Sequence, residues 1–131
     1  MKVINSIDVP LELVDAEGAV GAKIRWLVGQ KDGAPNFALR LFEVEPGGHT
    51  PHHVHEWEHE MYVLSGQGKI VTDRGEFVFG PDDAMYVDPN MRHSFHNTGD
   101  ELLRFLCIIP HDKPAAKQSL NPFADEEAND C

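Results

Sequence analysis

The apolar positions of this chain fall in short runs that alternate with polar residues and end at turn formers. The runs are "AKIRWLVG", "NFALRLFEVEPGG", "EMYVLSGQGKIVTDRGEFVFGPDDAMYVDPN", "HSFHNTGD" and "ELLRFLCIIP". Gly, Pro, Asn and Asp separate them at strand-like intervals. No stretch from Ala22 to Pro110 sustains an apolar period of 3.6, so the pattern predicts an all-β domain over 22–110, an antiparallel sandwich or barrel. "TDRGE", lying between "KIV" and "FVF", predicts a tight hairpin in which Gly75 supplies a positive φ. Residues 1–21 mix apolar residues with turn formers and predict an N-terminal arm or edge strand. Residues 111–131 carry two prolines and much polarity. They predict a surface extension, partly disordered.

Composition narrows the class. A chain of 131 residues suits one domain, which at this size needs no disulfides to bury a core. The two cysteines are Cys107, inside an apolar run, and Cys131, the last residue. A disulfide framework is not expected, and a reducing compartment, the cytoplasm, is. No signal-peptide core or membrane-length apolar stretch is present. Acidic residues outnumber basic ones 22 to 11, for a formal charge of -11. That charge argues against nucleic acid and anionic membranes as partners. Part of the excess lies in the tail "ADEEANDC", so solubility explains much of it.

The chemistry concentrates in "HTPHHVHEWEHE", where five histidines and three glutamates fall within twelve residues. A strand presents alternate residues on one face. His53, His55 and His59 share a parity. His52, Glu56, Glu58 and Glu60 have the other. A further imidazole can come from "DPNMRHSFHN", where His93 opens a new strand and His96 has the opposite parity. Imidazole suits manganese, iron, nickel, copper and zinc. Two histidines one residue apart on a strand chelate one ion, and ligands from a bend and a second strand fix its position.

These residues resemble the cupin superfamily. Its first motif runs glycine, five residues, His-x-His, three or four residues, a carboxylate, six residues, glycine. Here the run is Gly47, His53, His55, His59 and Gly66, with His59 where glutamate is usual. Glu60 fills the longer-spacing variant but leaves only five residues before Gly66, so spacing and parity both favour His59. The closing element of the second motif is present as His93 and Asn97, while Pro89, Met91 and Gly80 depart from its turn. The stretch "HVHEWEHE" is similar to that of small single-domain cupins that bind manganese through four histidines. The resemblance implies a double-stranded β-helix (a jelly-roll barrel), frequently dimeric. It implies one divalent ion per chain, manganese first, held by His53, His55, His59 and His93. It also implies dioxygen-dependent chemistry on a small molecule.

Other side chains are candidates for the pocket. Arg40, between apolar neighbours, is costly if buried unpaired. It either binds a substrate anion or pairs with an acid at a rim. Phe105 and Cys107 share a face and line the pocket or pack the core. Arg40 and Glu60 are the candidates for catalysis, and Glu58 and Tyr62 can serve acid-base work or orient a ligand imidazole. Trp57 packs against the bend before His59. Three functions compete. One is a mononuclear dioxygenase-like enzyme acting on a small organic molecule. The second is a non-redox metal-dependent isomerase or sugar-processing cupin. The third is a small-molecule-binding barrel without turnover. A homodimer is expected, because an antiparallel barrel of this size leaves edges that need cover.

Overall fold

The structure is a computed structural model and describes residues 1–111. The extension expected over 111–131 therefore lies, but for His111, outside the described residues. Nine strands form one antiparallel sheet. They are β1 (Glu12–Leu13), β2 (Val20–Val28), β3 (Phe37–His49), β4 (His59–Ser65), β5 (Gly68–Thr72), β6 (Gly75–Phe79), β7 (Ala84–Val87), β8 (His93–Asn97) and β9 (Leu103–Pro110). The order is β6-β5-β8-β3-β9-β4-β7, with β2 also on β3 and β1 on β2. The only helical pieces among the described residues are two 3-10 turns, Ser6–Asp8 and Gln30–Asp32.

The sheet curls because β3 serves both halves. Its first part pairs with β2 and β9, and its last residue, His49, pairs with His96 on β8. The bend between them falls at Pro46-Gly47-Gly48. Gly47 has φ +78°, and a Cβ on Gly48 would come within 2.5 Å of the Val20 carbonyl oxygen. Only glycine fits both demands. Gly75 has φ +119° in the hairpin joining β5 and β6, as the sequence predicts.

Alternation fills the inside of the curl. On β9, Leu103, Phe105, Cys107 and Ile109 are buried, and the residues between them are not. Phe105 stacks on Phe42 of β3 with ring centroids 5.3 Å apart, and Phe95 of β8 lies 5.3 Å from its other side. Phe105 thus bridges the two halves of the curl, and each such ring buries roughly 150–250 Å². This core is the wall on which the histidines are mounted.

Candidate metal centre

His59 is the first residue of β4 and His93 the first of β8. Both face inward, and both are almost fully buried. His55 comes from the connection between β3 and β4, which is not strand except for a single bridge at His53. Trp57 holds it there. The indole stacks on the His55 ring at 4.6 Å and 9°. The expected parity puts His55 and His59 together, and both are buried, although a bend and an aromatic stack bring His55 inward rather than an uninterrupted strand.

The ligand nitrogens of His55, His59 and His93 all lie within 4.8 Å of one another. His53 stands beside this trio, its ring centroid 5.3 Å from that of His55. Its backbone exchanges two 2.8 Å hydrogen bonds with His93. Residues directly opposite in an antiparallel pair present their side chains on one face, so His53 leans toward the same side as His93. His52 is exposed and turned to Ser94, as its parity requires.

The donor set fits a divalent ion. The His59 Nδ1 lies 3.2 Å from the Cys107 sulfur; with the ring donating to that sulfur, its lone pair is on Nε2. That Nε2 is buried and has no hydrogen-bond partner among the described residues. An unsatisfied buried polar atom costs about 1–3 kcal/mol, and an ion between three imidazoles relieves it. Cys107 in turn accepts from Arg40 Nη2 at 3.0 Å. The His93 Nδ1 sits 2.8 Å from the Met91 carbonyl oxygen, which likewise leaves Nε2 for the cluster. Such second contacts orient metal-binding histidines and raise their basicity.

The sequence candidates occupy distinct places. Arg40 is fully buried, with its guanidinium 5.0 Å from the Phe42 ring centre and 5.5 Å from that of Trp26. Its visible role is to hold Cys107. Phe105 lies in the core, and Cys107 contacts His59. Glu60 is on the outer face of β4. Its carboxyl is pushed up to about 7, first by a hydrogen bond with Glu58, then by burial and the Glu58 charge. Tyr62 is exposed and donates to Asp82 at 2.8 Å. Asn97 ties strand ends together, donating to the Val44 and Glu101 carbonyl oxygens at 2.8 Å each.

Sequence reasoning missed the cavity itself. A hollow of about 270 Å³ is lined by Ile70, Phe77, Met85, Val87 and Met91, with Arg74 and Asp88 among its polar residues. It adjoins the histidines by register, since Val87 pairs with His59 and the lining Thr72 pairs with His93. Phe105 and Cys107 are not among its lining residues. A larger hollow of about 400 Å³, around Val28, Phe37 and Ile108, has no metal-binding side chain in its wall. The cue in the sequence was the inward parity of Ile70 and Thr72. Which strand they face is set by register, which the sequence does not print.

Comparison with known proteins agrees with this architecture. A polyketide cyclase, RemF from Streptomyces resistomycificus, is 40% identical, with 87% of this chain and 82% of that one superposing at a TM-score of 0.82. A methylsulfurylase of 1-methylthio-D-xylulose 5-phosphate from Rhodospirillum rubrum is 36% identical across 58% of this chain and 50% of its own length. The polyketide synthase CurC of Streptomyces cyaneus is 30% identical across 73% of this chain and 61% of its own. The chain thus spans one half to three fifths of the length of these two curated relatives. The family model described as Cupin domain matches residues 40–109, more than half of the chain and every strand that carries or backs a buried histidine. With inward histidines on a curled antiparallel sheet and a 40%-identical structural relative, the chain belongs to the cupin family.

Proposed function

We propose that this protein is a metal-dependent enzyme acting on a small, enolisable, partly apolar molecule in the cavity beside the histidine cluster. The observation that carries the reading is His59, whose buried Nε2 has no hydrogen-bond partner among the described residues while its Nδ1 contacts Cys107. We assign His53 as a fourth ligand to His55, His59 and His93, supported by its paired position opposite His93. Manganese is the ion we assign, with iron, nickel, copper and zinc competing for the same imidazoles. Bound there, the ion supplies a Lewis acid that polarises a substrate oxygen. Ile70, Phe77, Met85 and Met91 shed water from the apolar part of the substrate, and Arg74 receives an anionic group. Arg40 acts through Cys107 as a positioning residue. Glu60 is not among the residues lining the cavity, and we assign it no step.

Reaction without oxygen, such as ring closure, is the first reading, supported by the identity to the polyketide cyclase. Dioxygenase-like cleavage is the second. The donor set favours it, because neutral imidazoles add no negative charge and leave an anionic substrate welcome. The metal-loaded protein should be offered 1,3-dicarbonyl and phenolic compounds in air and under argon, with products read by mass spectrometry and oxygen by electrode. Products in both atmospheres support the first reading. Products only with oxygen uptake support the second. Binding without product in either overturns the enzyme and leaves a binding barrel.

We also propose a homodimer joined through the N-terminal arm, where Val3, Ile7 and Leu13 expose apolar side chains. A monomer in sedimentation at micromolar concentration overturns it. Cys107, buried and not disulfide-bonded, fits a reducing compartment, which we take to be the cytoplasm. No described helix is long and apolar enough to cross a membrane.

A further inference from the structure

A second set of imidazoles lies on the opposite face of β8. His49 and His96 are direct partners between β3 and β8. The Thr50 N–H donates to the Phe95 carbonyl oxygen at 2.9 Å, so the bonded pair is the neighbouring one. His49 and His96 therefore form a non-hydrogen-bonded pair, the kind whose side chains approach most closely. Their ring centroids are 5.0 Å apart and their planes differ by 31°. Both rings are half-buried.

The surrounding bonds set the proton positions. The His49 Nδ1 lies 3.2 Å from the Thr50 carbonyl oxygen, which accepts its proton and leaves the Nε2 lone pair free. The His96 Nε2 lies 2.9 Å from Ser94 Oγ, and Ser94 Oγ lies 3.3 Å from His52 Nδ1. A hydroxyl has one proton to give. If it goes to His52, the His96 Nε2–H donates to Ser94 and the His96 Nδ1 lone pair is free. Ser94 and His52 then orient His96 as the outer contacts of a metal-binding histidine do.

We propose that His49 and His96 form a second, weaker site for a borderline divalent cation such as zinc or nickel, on the outer face of the sheet and separate from the buried cluster. Two imidazoles chelate, water completes the sphere, and a net charge of -11 draws cations to the surface. Burial first, then His49 and Lys69, holds the His96 imidazole below its ordinary value, which favours the neutral ring that a cation requires. Lys69 opposes a cation here, being the β5 partner of His96. Its ammonium is engaged by Glu76 at 2.7 Å, which offsets that repulsion.

The test is titration of the full-length protein, already loaded at the buried cluster, with zinc by equilibrium dialysis. A further equivalent should bind to the native protein, and the His49→Ala/His96→Ala variant should lose it while retaining the first. Nickel added to the native protein should broaden the imidazole proton resonances of His49 and His96 before others, a readout that needs no variant. The proposal is overturned if no further equivalent binds. It is equally overturned if the double variant binds that equivalent undiminished, or if nickel leaves these resonances sharp.

Discussion

The two faces of β8 carry histidines in very different settings. Inward, His93 joins His55 and His59, nearly sealed from water, with Phe95 against the His93 ring at 5.6 Å. Outward, His96 meets His49 and, through Ser94, His52, all partly wet. Residue type is the same, and so is the strand. The difference lies in what locks each ring. Inner rings are held by core aromatics, a thiol and a main-chain carbonyl, and a buried nitrogen is left without a partner among the described residues. The outer rings are held by a main-chain carbonyl and a serine hydroxyl and stay open to water. Rigidity and unmet bonding, more than histidine count, mark the place for a tightly held ion.

The largest effect that could break this contrast is expected at His59. His59→Ala should reduce affinity for the first metal equivalent by more than about a hundredfold and abolish turnover. His52→Ala should change neither, with metal content read by mass spectrometry after dialysis. Equal losses from both would erase the distinction between the faces.

The core behind the inner rings comes next. Phe105→Ala removes the ring that Phe42 and Phe95 rest on and should destabilise the fold by about 3–5 kcal/mol, read from the urea midpoint. Its inner metal affinity should fall as His93 loses its backing, while zinc binding on the outer face persists. A Phe105 that merely lined a substrate wall would change substrate range at constant stability.

Cys107 sharpens the contrast further. Cys107→Val keeps the volume but cannot accept from His59 or Arg40, and should weaken the inner ion by roughly 10–100-fold. Cys107→Ser, which can still accept, should recover part of the loss. In the cobalt-loaded protein the valine variant should also shift the ligand-field absorption, which a packing change alone leaves in place.

The smallest effect belongs to an outward pair on β4 and the loop before it. The Glu60 carboxyl is pushed up to about 7, chiefly by its bond with Glu58. A carboxyl raised in the folded state binds more protons than in the unfolded chain. Stability is therefore fullest below the ordinary glutamate range and declines as pH rises toward 7. Glu58→Gln should bring the Glu60 titration, followed by NMR, back toward ordinary glutamate and flatten that decline. Because Glu60 is exposed, the effect on stability should be small.

Much of this was readable from the chain. Alternation along "LRFLCIIP" and "EMYVLS" identified the strands and their inner faces, since period-two burial is local. The spacing from Gly47 to Gly66 picked out His55 and His59, both buried, and Gly66 shows why the closing glycine matters. It has φ +90°, and a Cβ there would lie 2.7 Å from the Leu103 Cα. What stayed hidden depended on register between distant strands. Arg40 read as a pocket or rim group, and its bond to Cys107 spans 67 positions in sequence. The cavity wall comes from β5, β6 and β7, whose facing is set by closure of the curl. The outer pairing of His49 with His96 is equally a matter of register, and no local pattern announces it.

The seat of Cys107 has a practical consequence. Its sulfur is wholly enclosed, so an alkylating reagent can reach it only when β9 parts from its neighbours. In a Cys131→Ser background, the rate of thiol labelling becomes a clock for that opening. Because the same sulfur braces His59, a bound inner ion should slow the clock, and the degree of slowing would measure how strongly the metal staples the barrel shut.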